Sequence, residues 1–198
     1  MAQQIGFFGS QPQTFASGER GSIVYYPGVF DPHEASALFE HLQQTLHFEQ
    51  ETMWMYDKTV DVPRLIARFT PGEARPAELT RVQTRVEDLL GERFNSLSVQ
   101  YYRSGADSVA WHNDHRDELV ERPTIGLISL GAAREMLVRP KEPPRRSLRI
   151  DLEPGSLLVM AGRSQEFWEH TIPKVSRPVG PRISIALRQV QGRPPARA

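Results

Sequence analysis

The feature that most constrains the fold is the change in the character of the chain after Gly91. From there on, short runs rich in Val, Ile, Leu and Tyr alternate with turn-forming pairs such as Ser104-Gly105 and Pro154-Gly155. Short strands with few helices between them favour an antiparallel sandwich or jelly roll. We expect strands near 97–103, 108–112, 124–130, 134–139, 147–151, 156–161, 166–172 and 182–189.

Two amphipathic helices are predicted before Gly91. Asp31, Pro32 and Glu34 supply an N-cap, a first-turn proline and a capping-box acid, and the apolar spacing that follows predicts a helix over 32–47. A second helix is predicted from Pro76 to a C-terminal cap at Gly91. The expected fold class is therefore α+β, mainly β, with N-terminal helices packed on the sheet.

The length of 198 residues predicts one domain. Residues 1–20 are rich in Gln, Gly and Ser without periodicity and are expected to form a flexible leader, and 191–198 a Pro- and Arg-rich tail. The folded body is then 21–190. We divide it into a helical, mixed part over 21–95 and a jelly-roll core over 96–190.

Composition excludes several classes of function. The chain has no cysteine, which excludes disulfides, thiolate zinc sites, iron–sulfur clusters and cysteine nucleophiles, so any metal must be held by His, Asp or Glu. No uncharged apolar run approaches the roughly 20 residues of a membrane-spanning helix, and the N-terminus lacks the pattern of a secretion signal. A cytoplasmic protein without a membrane partner is expected.

The formal net charge is zero, which gives no global signature of a nucleic-acid binder. The charges are unevenly distributed, however. The segment 21–57 contains acids but no Lys or Arg, whereas 134–149 and 174–198 are basic.

A candidate metal site combines two histidines and one aspartate. His112-Asn113-Asp114 is a His-x-Asp pair at the end of an apolar strand, where side chains two residues apart project from the same face. His170 lies in another predicted strand. Two His and one carboxylate form the facial triad of non-haem Fe(II) oxygenases. The alternative for His170 is an ordinary buried histidine that is hydrogen-bonded to backbone.

A candidate anion site involves the last predicted strand. Arg182, Ser184 and Arg188 share one face of that strand, and the other face is apolar. Two cations on this face require an outside anion, for which a dicarboxylate co-substrate would serve, unless both reach solvent. Gln100 and Tyr102 alternate in the same manner and could donate hydrogen bonds into the same cavity; the alternative is a solvated outer face.

Four motifs in order carry a resemblance to a known family. They are Tyr102–Asp114, the pieces Pro123-Thr124-Ile125 and Ser129-Leu130-Gly131, Trp168–Lys174 and Pro181–Arg188. Together they resemble the AlkB family of Fe(II)- and 2-oxoglutarate-dependent dioxygenases, over about residues 60–190.

The resemblance implies a double-stranded β-helix jelly roll that binds Fe(II), 2-oxoglutarate and O2. It implies that Arg182 pairs with the distal carboxylate of 2-oxoglutarate, that Tyr102 hydrogen-bonds it, and that Arg188 lies near the keto-acid end and the oxygen site. Gln100 and Ser184 stand where family members usually carry Asn. The implied Fe(II) ligands are His112, Asp114 and His170.

The implied activity is oxidative demethylation of N-alkylated bases in alkylation damage repair. 2-Oxoglutarate is converted to succinate, and a hydroxylated N-methyl group is released as formaldehyde. The expected substrates are bases such as 1-methyladenine or 3-methylcytosine in single- or double-stranded DNA, with RNA left open. The part over 21–95 would serve substrate recognition, and the enzyme is expected to act as a monomer.

Substrate recognition departs from the family pattern. His115-Arg116 follow the second ligand, where nucleic-acid demethylases of the family usually carry acids. A flipped base needs an aromatic side chain for stacking, and the candidates Trp54, Tyr56 and Phe69 lie in a region between the helices that is expected to be irregular. These aromatics could equally pack the helices onto the sheet. The basic segment 134–149 would contact phosphates, or would simply be solvated.

Other functions stay open at this point. A dioxygenase of the same fold could act on a protein, a tRNA modification or a small molecule, and His115-Arg116 favour this alternative. A non-catalytic binding module would have no evident reason to keep the complete triad with Tyr102 and both arginines. A zinc hydrolase would need a general base near the metal.

Overall fold

The structure is a computed structural model and describes residues 11–55, 57–70, 72–114 and 117–191. The helices are α1 (Pro32–Thr45), α2 (Ala77–Leu90) and the short α3 (Ser164–Phe167). The strands are β1 (Gln13–Ala16), β2 (Ser22–Tyr26), β3 (Glu49–Met55), β4 (Lys58–Phe69), β5 (Ser96–Tyr102), β6 (Val109–His112), β7 (Thr124–Gly131), β8 (Arg134–Pro140), β9 (Leu148–Leu152), β10 (Leu157–Ala161), β11 (Trp168–Ile172) and β12 (Arg182–Arg188).

The strands form two antiparallel sheets. The larger has eight strands in the order β1-β2-β10-β7-β12-β5-β4-β3, and the smaller has four in the order β6-β11-β8-β9. Ile125 and Leu158 of the larger sheet share a buried cluster with Met136, Leu152 and Ile172 of the smaller one. The two sheets therefore face each other, and the predicted jelly roll of class α+β, mainly β, is confirmed.

The helices α1 and α2 cover the other face of the larger sheet. Leu42 of α1 and Val86 of α2 pack in a second buried cluster with Val99, Ile128 and Ile185. Among the described residues, no helix is long and apolar enough to span a bilayer. The larger sheet thus separates the helix-covered core from the buried cluster between the two sheets.

Local signals in the sequence place both helices. Oδ1 of Asp31 accepts from the backbone N–H of Glu34 at 2.9 Å, and Oε2 of Glu34 accepts from the N–H of Asp31 at 3.2 Å. This reciprocal capping box opens α1, as predicted, and a cap of this kind stabilises a helix by about 1 kcal/mol. Gly91 ends α2 at φ 69°, a left-handed conformation that glycine adopts without strain.

The N-terminal half contains more β-structure than the sequence predicts. The region between the helices, expected to be irregular, is the hairpin of β3 and β4, and β4 pairs with β5. β1 falls within the segment expected to be a flexible leader and pairs with β2. The strand predicted over 166–172 begins at Trp168, because α3 occupies 164–167. The larger sheet thereby gains four strands, β1 to β4, that were not among the eight predicted.

Candidate metal and co-substrate site

Three metal-ligating side chains meet between the two sheets. His112, Asp114 and His170 each offer one ligand atom, and these atoms lie within 4.8 Å of one another. His112 of β6 is the cross-strand partner of His170 of β11, and the ring centroids are 4.2 Å apart with a tilt of 54°. Two imidazoles and one carboxylate at this spacing can bind one divalent metal and leave other coordination positions open.

Both histidines are held in the form that a metal requires. Nδ1 of His112 lies 2.9 Å from the carbonyl oxygen of Ala110. A carbonyl only accepts, so Nδ1 carries the proton of the neutral ring and Nε2 keeps its lone pair for a metal. Burial lowers the pKa of His112 from its usual 6.5 and lowers the pKa of His170 to about 3. Neutral imidazoles are the metal-binding species.

Asp114 lies in the loop after β6 rather than on the strand itself, which ends at His112. The side-chain alternation assumed for the His-x-Asp pair therefore does not explain its position. Its backbone N–H donates to Oε1 of Gln165 at 2.9 Å, and Gln165 of α3 is only 3% exposed. Oδ1 of Asp114 reaches Nε2 of His170 at 3.9 Å. A contact from α3 thus places the second ligand, and the sequence analysis missed it.

Arg188, the last residue of β12, anchors the carboxylate of Asp114. Its Nε donates to Oδ2 of Asp114, and its Nη1 donates to Oγ of Ser98 at 2.7 Å. Burial by itself would raise the pKa of Asp114, but the charge of Arg188 and its hydrogen bond hold the pKa below its usual 3.8. The carboxylate is therefore ionised, and Oδ1 remains available to a metal.

Arg182 is a buried cation with unused hydrogen-bond donors. It is 1% exposed, and its Nη2 donates to Oγ of Ser129 at 2.9 Å and to Oγ of Ser184 at 3.4 Å. Its Nε and Nη1 have no hydrogen-bond partner among the residues that the structure describes. Burial lowers the pKa of Arg182 to about 10, and no carboxylate pairs with it in the described part of the chain. A carboxylate bound against these two N–H groups would relieve the cost of the buried charge, so the residues fit 2-oxoglutarate.

The side chains near Arg182 in the larger sheet are polar. Ser184 of β12 lies opposite Ser129 of β7 on one side and opposite Gln100 of β5 on the other. Nε2 of Gln100 donates to Oγ of Ser98 at 2.8 Å. Gln100 and Ser184 therefore lie in the same row of the sheet next to the buried cation.

Tyr102 joins Arg182 to a further arginine. The guanidinium of Arg182 lies 5.2 Å from the centre of the Tyr102 ring, and Nη1 of Arg64 donates to the phenol oxygen at 3.4 Å. Nε of Arg64 is buried and finds no hydrogen-bond partner in the described ranges of the chain. Arg64 is not among the site residues predicted from the sequence. The available signal was a cation in the apolar run 62–67, which the structure shows to be part of a strand.

The structure describes two of the five predicted substrate residues. Phe69 is half-buried and packs against the helix-covered core, on the same face of the sheet as Leu97. Trp54 lies in β3. Tyr56, His115 and Arg116 lie outside the described residues. Base stacking stays a prediction for Trp54, Tyr56 and Phe69, and so does substrate recognition by His115 and Arg116.

Most of the basic segment is engaged in internal contacts. Arg134 is 3% exposed, Arg139 pairs with Glu169 at 2.7 Å, and Arg149 pairs with Glu135 at 3.2 Å. The exposed cations in the β8–β9 loop are Arg145 and Arg146.

Comparison with known proteins agrees with this geometry. Residues 64–188 match the 2OG-Fe(II) oxygenase superfamily. The chain is also similar in structure to a 2OG-Fe(II) oxygenase family oxidoreductase from Burkholderia pseudomallei, with a TM-score of 0.58 and 21% identity over 91% of this chain and 90% of that one.

Two curated relatives are similar in sequence over most of the chain. Human alpha-ketoglutarate-dependent dioxygenase alkB homolog 3 is 34% identical over 85% of this chain and 66% of the relative. Mouse DNA oxidative demethylase ALKBH2 is 29% identical over 83% of this chain and 79% of the relative. The chain thus spans just under two thirds of the length of the human protein.

Proposed function

Because this chain belongs to the 2OG-Fe(II) oxygenase superfamily, we propose that it is an AlkB-type dioxygenase that demethylates N-alkylated bases in DNA, and in RNA as a second substrate. One observation carries the proposal: Arg188 of β12 bonds Asp114 of the triad with His112 and His170, and Arg182 of the same strand is a buried cation with two N–H groups unpaired among the described residues. The names of the relatives, a dioxygenase of the alkB type and a DNA oxidative demethylase, supply the class of substrate.

In this proposal Nε2 of His112, a carboxylate oxygen of Asp114 and His170 hold Fe(II). When bound, Fe(II), 2-oxoglutarate and O2 supply the oxidant that hydroxylates a C–H bond. The chain's part is to fix the ligands. Ala110 orients the ring of His112, and Arg188 orients the carboxylate of Asp114.

Arg182 binds the distal carboxylate of 2-oxoglutarate through Nε and Nη1. Tyr102 and Ser184 line the same end of the cavity, and Arg188 stands at the end near the metal. Charge-assisted hydrogen bonds to a planar carboxylate are the strongest that a buried guanidinium can form. The separation of these two cations along β12 therefore fixes which end of the co-substrate faces the metal.

Two of the three metal ligands are shielded from water. Asp114 is 7% exposed and His170 is 5% exposed. Val138 is the cross-strand partner of His170, and it is buried in one cluster with Leu127 and Ala186. A dry site strengthens the electrostatic contacts to the co-substrate and prevents loss of the oxidant to solvent.

The nucleic-acid strand is held through its phosphates by Arg145 and Arg146. These side chains are exposed in the loop that leaves β8 at Lys141. Nζ of Lys141 donates to the carbonyl oxygen of Gln165 at 2.8 Å, and Gln165 in turn holds the backbone of Asp114. The loop thus begins on the metal side of the cavity, and phosphate contacts there would hold a strand beside it.

The test uses enzyme loaded anaerobically with Fe(II), then supplied with 2-oxoglutarate, O2 and oligonucleotides that carry one N-methyl lesion. Matched DNA and RNA, single- and double-stranded, are followed by mass spectrometry for loss of one methyl group, with succinate measured in parallel. Loss of methyl that depends on 2-oxoglutarate is expected. Succinate without loss of methyl would overturn the nucleic-acid substrate and direct the search to a protein, a tRNA modification or a small molecule.

The proposal includes a monomer that works in the cytoplasm without a membrane partner. Sedimentation of the purified protein and fractionation of cells test these two points.

A further inference from the structure

The strand that carries His112 is weakly held by its own backbone. β6 has four residues and lies at the edge of the smaller sheet. Its register with β11 is defined at His112–His170 and at Val109–Ile172, with an irregularity between them. An edge strand with so few ladder positions does not by itself fix the spacing of two metal ligands.

Arg134 joins the segments that flank these two strands. Its Nη1 donates to the carbonyl oxygen of Ser104 at 3.1 Å, and its Nη2 donates to the carbonyl oxygens of Asp107 at 2.9 Å and Pro173 at 2.7 Å. Ser104 and Asp107 precede β6, and Pro173 follows β11. One buried guanidinium therefore connects the chain just before His112 to the chain just after His170.

The same two segments touch beside Arg134. The backbone N–H of Val175 donates to the carbonyl oxygen of Gly105 at 2.9 Å. A Cβ added to Gly105 would lie 2.7 Å from Cγ2 of Val175 and 2.8 Å from its carbonyl oxygen. This approach is closer than any residue other than glycine allows.

We propose that Arg134 is a positioning residue for the metal centre. Its fork of donors holds the segment before β6 against the segment after β11 and so sets the distance between His112 and His170. A planar guanidinium can serve three carbonyls at fixed angles, whereas the compact ammonium of lysine cannot. The inference rests on the proposed function only in that the triad binds a metal.

The experiment measures metal affinity without turnover. Mn(II), a redox-stable probe of the Fe(II) site, is titrated into the full chain without 2-oxoglutarate and followed by electron paramagnetic resonance. Arg134→Lys is expected to raise the Mn(II) dissociation constant about tenfold or more, the effect usual for groups that orient metal ligands. An unchanged dissociation constant in folded Arg134→Lys would overturn the inference.

Arg85→Lys is the matched control. Arg85 of α2 forms a bidentate pair with Glu34 of α1 at 2.8 and 3.0 Å. This pair joins the two helices on the helix-covered side of the larger sheet. Arg85→Lys is expected to lower the melting temperature and leave Mn(II) affinity unchanged. An equal loss of Mn(II) affinity in both lysine variants would reduce the role of Arg134 to general stability and overturn the inference.

Gly105→Ala provides a second variant that keeps Arg134. The added methyl group forces the same two segments apart, so Mn(II) affinity should also fall, and unchanged affinity would contradict the proposed control of spacing. His112→Ala tests the metal site separately from the role of Arg134. If the wild type and His112→Ala bind Mn(II) equally weakly, the triad is not a metal site. The proposed role of Arg134 is then wrong as well.

Discussion

Nε of Arg188 donates directly to Oδ2 of Asp114, so a side chain of β12, the strand that also carries Arg182, holds a metal ligand. The same guanidinium bonds Ser98 of β5 through Nη1. Asp114 itself lies in a loop, yet its carboxylate is fixed to the rigid centre of the larger sheet. The ligand geometry therefore depends on β12 as much as on β6.

Asp114→Ala is expected to abolish Fe(II)-dependent turnover, with a loss of at least about 100-fold, because the triad loses its carboxylate ligand. The fold should persist, since Asp114 lies in a loop after β6 and circular dichroism should match the wild type. Succinate release and Mn(II) titration are the measurements, and Asp117→Ala, an exposed acid of the same loop, is the control. Turnover retained in Asp114→Ala would remove Asp114 from the triad.

Arg182→Met is expected to raise the concentration of 2-oxoglutarate needed for half-maximal rate by about 10- to 100-fold, because charged hydrogen bonds are lost. The Fe(II) requirement should change little, since Arg182 contacts Ser129 and Ser184 and none of the three ligands. Methionine keeps much of the buried volume. Separate titrations of 2-oxoglutarate and Fe(II) measure the two effects, and equal increases in both requirements would contradict the assigned role.

Replacing Arg145 and Arg146 together with Gln is expected to weaken oligonucleotide binding and to flatten its dependence on salt. Two lost phosphate contacts to a single strand reduce the slope of log affinity against log salt by about 1.4. Fluorescence anisotropy at several salt concentrations measures this slope. Arg149→Gln is the control because Arg149 already pairs with Glu135, and a slope unchanged by the double variant would show that the loop does not touch phosphates.

Asp107→Asn is expected to lower stability at neutral pH by about 1–3 kcal/mol, because Asp107 is buried and accepts three hydrogen bonds from Arg103. Although burial alone would raise the pKa of Asp107, these hydrogen bonds hold it below its usual 3.8. A folded-state pKa below the unfolded value gives stability that is present above pH 3.8 and lost as the pH falls through the folded value.

The difference in melting temperature between wild type and Asp107→Asn should therefore be largest near neutral pH and shrink below pH 3.8. Thermal unfolding from about pH 6 to about pH 3 measures it. Asp151→Asn, at an exposed position of β9, is the control. A difference that stays constant down to the lowest pH would mean that the charge of Asp107 does not contribute.

The parts of the fold that the sequence predicts are those with local signals. The capping box at Asp31 and the left-handed turn at Gly91 act within a few residues, so both helices are predicted within two residues of their observed ends. β4 was missed because Pro63 interrupts its pattern. The structure tolerates Pro63 where the register of β3 and β4 shifts, and its carbonyl accepts from the N–H of Ser108 at 2.9 Å.

The residues of the candidate site likewise fall into those with a signal in the sequence and those without one. His112, His170 and Arg182 stand in motifs that can be recognised in the sequence. Gln165 and Arg134 could not be found in that manner, because their roles depend on backbone atoms that are distant in the chain. A side chain that supports backbone leaves no spacing pattern, since its partners are peptide groups of any residue type.

The register of β12 has a consequence for how this gene can change. Arg182, Ser184 and Arg188 face the cavity, while Ile183, Ile185 and Leu187 face the helices. Inserting or deleting one codon within β12 would turn the side chains beyond that point to the opposite face, and no single substitution could restore them. In the β8–β9 loop, between Pro140 and Leu148, an added codon shifts none of the metal ligands and neither Arg182 nor Arg188. Lineages that carry this enzyme should therefore differ in the length of that loop and keep the length of the last strand fixed.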